Sequence, residues 1–305
     1  EQDQDAEERR QSLLDRALTI GAPRRGERRK ESSGDPTSRS SSTLRRSCER
    51  CGASFEVMEA SNIFAARVAQ LRRYCRACSN LLAEEADRQE EQERRIEFLA
   101  RVKSAKVRAG LPSRLYDLSF ETLPEELRAK PACVKIEAWT EEFLRDEGTA
   151  RSGFLYSARP GVGKTSMVVA AANAIIEATQ GAWSVAYETG PSLGVRIRST
   201  YNGSGENEDQ VYERLAGVRL LILDDIGDQS REKPSEATQR MYFTLIDERY
   251  KSGRPIIMVS NVRGAAMADV LGQYTKDRFA EMCGNKVWVV TGMTREERLE
   301  KRGGA

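Results

Sequence analysis

The nine residues Ser157-Ala-Arg-Pro-Gly-Val-Gly-Lys-Thr165 follow an apolar stretch, Gly153–Tyr156, and open a run with helical character. That pattern leaves a chain few options. A strand must deliver the loop, Gly161 and Gly163 must let backbone N–H groups converge on an anion, and the helix behind must add its N-terminal positive potential. The chemistry that needs all three is the binding of a nucleoside triphosphate. Lys164 is then expected to bridge the β and γ phosphates and Thr165 to supply a magnesium ligand, with Pro160, Gly161, Val162, Gly163 and Ser166 completing the cradle. The pattern departs from G-x-x-x-x-G-K-[ST] at one place, Ala158, where glycine is usual.

Around this loop the sequence alternates in kind. Helices are expected near 132–146, 164–179, 235–251 and 265–282, and short apolar strands at Gly153–Tyr156, Trp183–Tyr187, Leu220–Leu223, Pro255–Val259 and Val287–Val290. Short apolar strands separated by helices indicate an α/β fold with a parallel sheet covered on both faces. Two strand ends carry polar groups, where ligands of open parallel sheets bind. Leu220-Leu-Ile-Leu-Asp-Asp ends in Asp224, expected at the magnesium shell, and Asp225, expected to orient or deprotonate the attacking water. The chain has no histidine, so such base chemistry falls to a carboxylate. Pro255–Val259 leads to Ser260 and Asn261, and Asn261 is either a γ-phosphate and water contact or the cap of the next helix.

Upstream the composition changes. Residues 1–47 are charged and Ser-rich with too few large apolar side chains to offset the entropy of ordering, and read as a disordered arm. Within it Leu13, Leu14, Ala17 and Leu18 form a short stripe, either a transient helix or a docking peptide. Residues 48–80 form a cysteine-bounded module in which Cys48-x-x-Cys51 and Cys75-x-x-Cys78 are separated by 23 residues. Four thiolates from paired knuckles fit a structural zinc site, whereas Cys133 and Cys283 stand alone and read as core thiols. Residues 81–110, rich in Glu, Arg, Gln and Ala, read as a charged helix, and 111–130 as a linker to the ATPase domain, 131–305.

The 49 Lys and Arg against 47 Asp and Glu give a formal charge of +2 and no global drive toward nucleic acid or anionic membrane. The longest largely apolar stretch, Met167–Ile176, is too short to span a bilayer, and the paired cysteines read as metal ligands in a reducing compartment; a cytoplasmic location without membrane partners is expected. Glu1 in place of a starting methionine points to a longer or processed chain.

Beyond single motifs, the stretches GLPSRLYDLSFETL, RLAGVRLLILDDIG and LIDERYKSGRPIIMVSN resemble those of the AAA+ ATPases of the DnaC/DnaI helicase-loader and IstB group. The similarity covers roughly Leu111 to Val290. It implies a P-loop AAA+ sandwich using ATP and magnesium, preceded here by a small zinc-binding domain. It also implies a helical insertion, Pro191–Arg214, that grips single-stranded DNA, with Arg196, Arg198 and Tyr201 as contacts, although a mixed-charge surface helix has the same composition. Arg278 aligns with a trans arginine finger, which implies a homo-oligomer through the ATPase domain; a surface ion pair to Glu281 or Asp277 is its bland alternative. A zinc module placed before the ATPase, as in DnaI-type loaders, favours a loader of a replicative helicase, of phage or host origin. Two other roles remain open, an IstB-like transposition ATPase acting with a transposase and a weakly hydrolysing adaptor. About fifteen residues follow Val290, too few for a helical lid with a sensor arginine.

Overall fold

The computed structural model describes residues 43–58, 73–201, 205–227 and 234–303. The stripe at Leu13–Leu18 and most of the N-terminal arm lie outside them. The chain divides into two compact units, and the boundary within the described residues falls between Leu99 and Ala100.

The smaller unit holds an antiparallel hairpin, β1 (Thr43–Ser47) and β2 (Ser54–Met58), and the greater part of a long helix, α1 (Arg76–Arg108). The hairpin was not legible beforehand; its turn is the first cysteine knuckle. Ser47 pairs with Ser54, the Cys48 amide donates to the Ala53 carbonyl at 2.9 Å, and Gly52 takes φ +73° where a side chain would be strained. Helix α1 starts directly after Cys75, so Cys78 lies in its first turn. Arg50 grips Glu85 through two bonds of 2.7 and 3.1 Å, which ties the knuckle to that helix.

The larger unit carries a five-stranded, wholly parallel sheet in the order β4-β5-β6-β3-β7. In chain order the short helix α2 (Glu125–Arg128) and α3 (Pro131–Arg145) precede β3 (Gly153–Tyr156) and α4 (Lys164–Ala178). Then come β4 (Val185–Thr189), α5 (Gly190–Thr200), α6 (Glu208–Gly217), β5 (Leu220–Ile226) and α7 (Glu236–Ser252). Last are β6 (Ile256–Ser260), α8 (Ala265–Leu271), α9 (Gln273–Cys283), β7 (Val287–Val289) and α10 (Arg295–Gly303). Strand side chains alternate between faces. Leu221, Leu223, Ile256 and Met258 enter a core with Leu193, Val211, Leu245 and Phe279 from α5, α6, α7 and α9. Elsewhere Trp139 stacks on Phe143 at 5.1 Å and meets Trp288 edge-on at 6.0 Å, joining α3 to the edge strand β7.

Four differences from the sequence reading have local causes. The single helix expected over 265–282 breaks at Gly272, whose φ of +80° and ψ of 146° no helix contains. Strand β4 begins two residues late, because its pairing with β5 runs only from Val185↔Leu220 to Thr189↔Asp224. Strand β5 runs on to Ile226 through a register shift, which leaves Asp225 at φ +54°. Lastly, the stretch read as a linker is packed. Leu111, Phe120, Leu123 and Leu127 are buried, and Asn173 of α4 donates to the Leu115 and Leu118 carbonyls at 2.8 and 2.7 Å. The last turns of α1 join this wall. Lys106, on the helix read as charged, is buried and donates to the Tyr116 carbonyl at 2.5 Å and to Glu177 at 2.7 Å.

Candidate nucleotide and metal sites

The loop 157–163 lies at the carboxyl end of β3, between β6 and β7 in the sheet, and α4 starts at Lys164. Gly161 and Gly163 adopt φ of +69° and +97°, the left-handed backbone that turns successive N–H groups toward one point. Gly163 is required twice over, since a Cβ there would lie 2.7 Å from both methyls of Leu127 on α2. Ala158 has no such demand. The non-glycine residues of positive φ among those described are Glu147, Gln180 and Asp225, so the departure from the usual glycine costs the loop no backbone strain.

Lys164 is buried at the base of the loop. Its ammonium donates to the Arg159 carbonyl at 3.2 Å and to the Asn261 side-chain oxygen, which brings together two residues 97 apart in sequence. Burial lowers its pKa, against the opposing pull of Asp224 and Asp225. Asn261 therefore does more than start a loop. Thr165 donates its hydroxyl to Asp224 Oδ2 at 2.6 Å, and Asp224 is 4% exposed. A hydroxyl and a carboxylate so placed are the all-oxygen donor set that magnesium favours. Asp225, next along the bulge, is exposed and turned by its left-handed backbone. Pro160 is exposed, Val162 buried and Ser166 half-buried in the first turn of α4.

Three residues near this site escaped the sequence reading. Lys130, just before α3, donates to the Val162 carbonyl at 3.0 Å; burial and the nearby Arg298 lower its pKa. Arg298, on α10, donates to the Gly161 carbonyl at 3.3 Å, and Arg159 of the loop pairs with Glu297. Helix α10 thus packs on the P-loop. Tyr187 donates its hydroxyl to Asp224 Oδ2 at 2.7 Å. A Glu-rich helix end and a lone strand tyrosine give no motif by which to find these contacts.

The remaining site candidates are more scattered. Arg278, on α9, is not paired with Glu281 or Asp277. It contacts Asp247 of α7 and the Tyr274 hydroxyl, and its guanidinium lies 4.2, 5.2 and 5.9 Å from the ring centroids of Tyr274, Tyr250 and Phe243. Arg196, Arg198 and Tyr201 are exposed at α5 and its C-cap, and Arg196 reaches the buried carboxylate of Glu188 at 3.2 Å.

In the smaller unit Cys48, Cys51, Cys75 and Cys78 bring their sulfurs within 4.8 Å of one another, with Cys51 and Cys75 at 3.8 Å. Zinc–sulfur bonds of about 2.3 Å place tetrahedral sulfurs roughly 3.8 Å apart, so the four residues fit zinc. Cys133 and Cys283 are buried alone, and burial raises their pKa values to about 11 and about 12.

A parallel sheet whose strand ends carry a phosphate loop, a carboxylate on the loop's threonine and an asparagine on its lysine defines a P-loop nucleotide-binding protein of the AAA+ type. The family model of the IstB-like ATP binding protein matches residues 148–276. Replicative helicase loader DnaC of Escherichia coli (strain K12) is 29% identical over 184 residues, covering 60% of this chain and 70% of the relative. Among solved structures, the DnaC helicase loader aligns with a TM-score of 0.47 at 23% identity, over 59% of this chain and 100% of that one. DnaI aligns with a TM-score of 0.47 at 18% identity, over 61% and 94%. Residues 148–276 thus resemble the IstB-like ATP-binding family, and the similarity to DnaC-type helicase loaders extends over 60% of the chain.

Proposed function

We propose that this chain is a magnesium-dependent ATPase that loads a replicative DNA helicase onto single-stranded DNA. The observation that carries the ATPase reading is the convergence of Lys164 with Asn261 and of Thr165 with Asp224 at the sheet's carboxyl edge. The loader reading follows from the likeness to DnaC, strengthened by a four-cysteine module ahead of the ATPase.

In this mechanism the P-loop amides and Lys164 hold the triphosphate. Thr165 and Asp224 would hold magnesium, which would supply charge neutralisation at the phosphates. Asn261 releases its hydrogen bond from Lys164 to contact the terminal phosphate, and Asp225 orients the attacking water and takes its proton. Lys130 and Arg298 flank the loop as further cations. Arg278 leaves Asp247 and its three rings on assembly and reaches the nucleotide of a neighbouring protomer. Arg198 and Tyr201 contact DNA, joined by Arg196 when it parts from Glu188. The zinc module and the N-terminal arm engage the helicase in the cytoplasm. No described helix is long and apolar enough to cross a membrane.

The test is steady-state ATP hydrolysis, with and without single-stranded DNA, for the native chain, Lys164→Ala and Arg278→Ala. Stimulation by DNA with loss in both variants supports the assembly mechanism. Normal turnover by Arg278→Ala together with indifference to DNA sinks the finger and the loader. The match to the IstB-like model favours one rival, a transposition ATPase, and preference for duplex over single-stranded DNA would mark it.

A further inference from the structure

The Asp224 carboxylate has more donors than the P-loop supplies. Its Oδ1 accepts the Asp225 amide at 2.8 Å, and its Oδ2 accepts both the Thr165 hydroxyl at 2.6 Å and the Tyr187 hydroxyl at 2.7 Å. Tyr187 stands on β4, an edge strand of the sheet, at the level of Ile222 and two residues short of the Thr189↔Asp224 pair.

The strand that carries this tyrosine is fixed from outside. The Tyr187 amide donates to the Ala109 carbonyl at 2.6 Å, just past the end of α1. Gly110 follows at φ +72°, and a Cβ there would lie 2.9 Å from the Tyr187 carbonyl oxygen. Only a glycine lets the chain turn that close. The edge of the sheet is therefore clamped at the residue whose side chain reaches the acidic site.

We propose that Tyr187 is a positioning residue that fixes the plane of the Asp224 carboxylate for magnesium. Two hydroxyl donors on one oxygen leave the carboxylate one orientation. Without the second, it turns more freely about its terminal torsion and holds the metal shell less well. The inference rests on reading Asp224 as the magnesium-site carboxylate.

Affinity for a non-hydrolysable ATP analogue, measured by calorimetry with magnesium and again with EDTA, tests it in the native chain, Tyr187→Phe and Lys164→Ala. Phenylalanine keeps the ring and the strand pairing, and a melting curve checks the fold. The magnesium-dependent gain in affinity should fall about tenfold in Tyr187→Phe, within the range of a hydrogen bond to a charged group, while the affinity in EDTA stays near the native value. A gain within twofold of native, or equal losses with and without magnesium, overturns the proposal. A native chain that does not bind the analogue, or a Lys164→Ala variant that binds it as well as native does, overturns the ATPase reading itself and Tyr187 with it.

Discussion

Arg249 is fully buried on α7, and its guanidinium gathers five backbone carbonyls. One terminal nitrogen donates to Leu215, Ala216 and Val218 at 2.9, 3.1 and 2.9 Å, the other to Arg219 and Pro255 at 3.2 and 2.6 Å. These oxygens end α6 and lead into β5 and β6, the strands that deliver Asp224, Asp225 and Asn261. Burial pushes the guanidinium down to about 9, so it remains charged at neutral pH. Arg249→Met keeps the apolar stem and removes every donor. The bonds to Leu215 and Pro255 are buried, and orphaning each acceptor costs about 1–3 kcal/mol. The other three oxygens regain some water, and losing a buried charge returns part of its desolvation cost. The net loss is about 4 kcal/mol. At about 2–4 °C per kcal/mol for a domain of roughly 200 residues, Tm should fall by roughly 10 °C in a calorimetric scan. Arg249→Lys, with three donors on a point charge, should fall between. A Tm for Arg249→Met within about 2 °C of native would refute the claim that these carbonyls need the guanidinium.

Two further outcomes follow from other parts of the chain. The cysteine cluster should carry one zinc per chain by elemental analysis, and a strong chelator should remove it with loss of hydrogen-exchange protection in the hairpin amides; protection that persists in the metal-free chain would show that β1 and β2 stand without it. The Thr294 amide, then Arg159, holds the Glu297 carboxyl below its usual 4.5, so its contribution to docking α10 on the P-loop is complete above about pH 5 and lost as pH falls through the lower folded value. Exchange protection at 295–303 should therefore persist at pH 5 and disappear in stronger acid, and Glu297→Gln should lose it even at pH 7; protection independent of pH and of the substitution would contradict this.

What could be read beforehand was whatever is written locally. Strand β3, the P-loop and α4 carry their signals within adjacent residues, and the acidic end of β5 announces itself after an apolar run. The cysteine knuckles are legible because metal geometry demands four sulfurs however the chain between them folds. Contacts set by tertiary packing were not legible. Lys106, Lys130 and Arg298 look like surface cations in sequence, and only the fold brings each to a carbonyl. Tyr187 reads as an ordinary strand aromatic because its partner, Asp224, is 37 residues away.

Asp225 shows why the acidic pair was foreseen and its geometry was not. Continued as a regular strand, residues 224 and 225 would point to opposite faces, one carboxylate toward the loop and the other away from it. The register shift between Leu223 and Ile226 replaces that alternation with a bulge, and Asp225 enters the left-handed region at φ +54°. Aspartate tolerates that conformation better than most side chains, which suits a site that needs two adjacent acids beyond the end of a buried strand. Gly227 follows at φ +85°, packed so close to Val262 that a Cβ would lie 2.6 Å from its methyl, and the chain leaves the sheet there. The strain sits at the residue proposed to activate water, and backbone strain in enzymes concentrates at such sites.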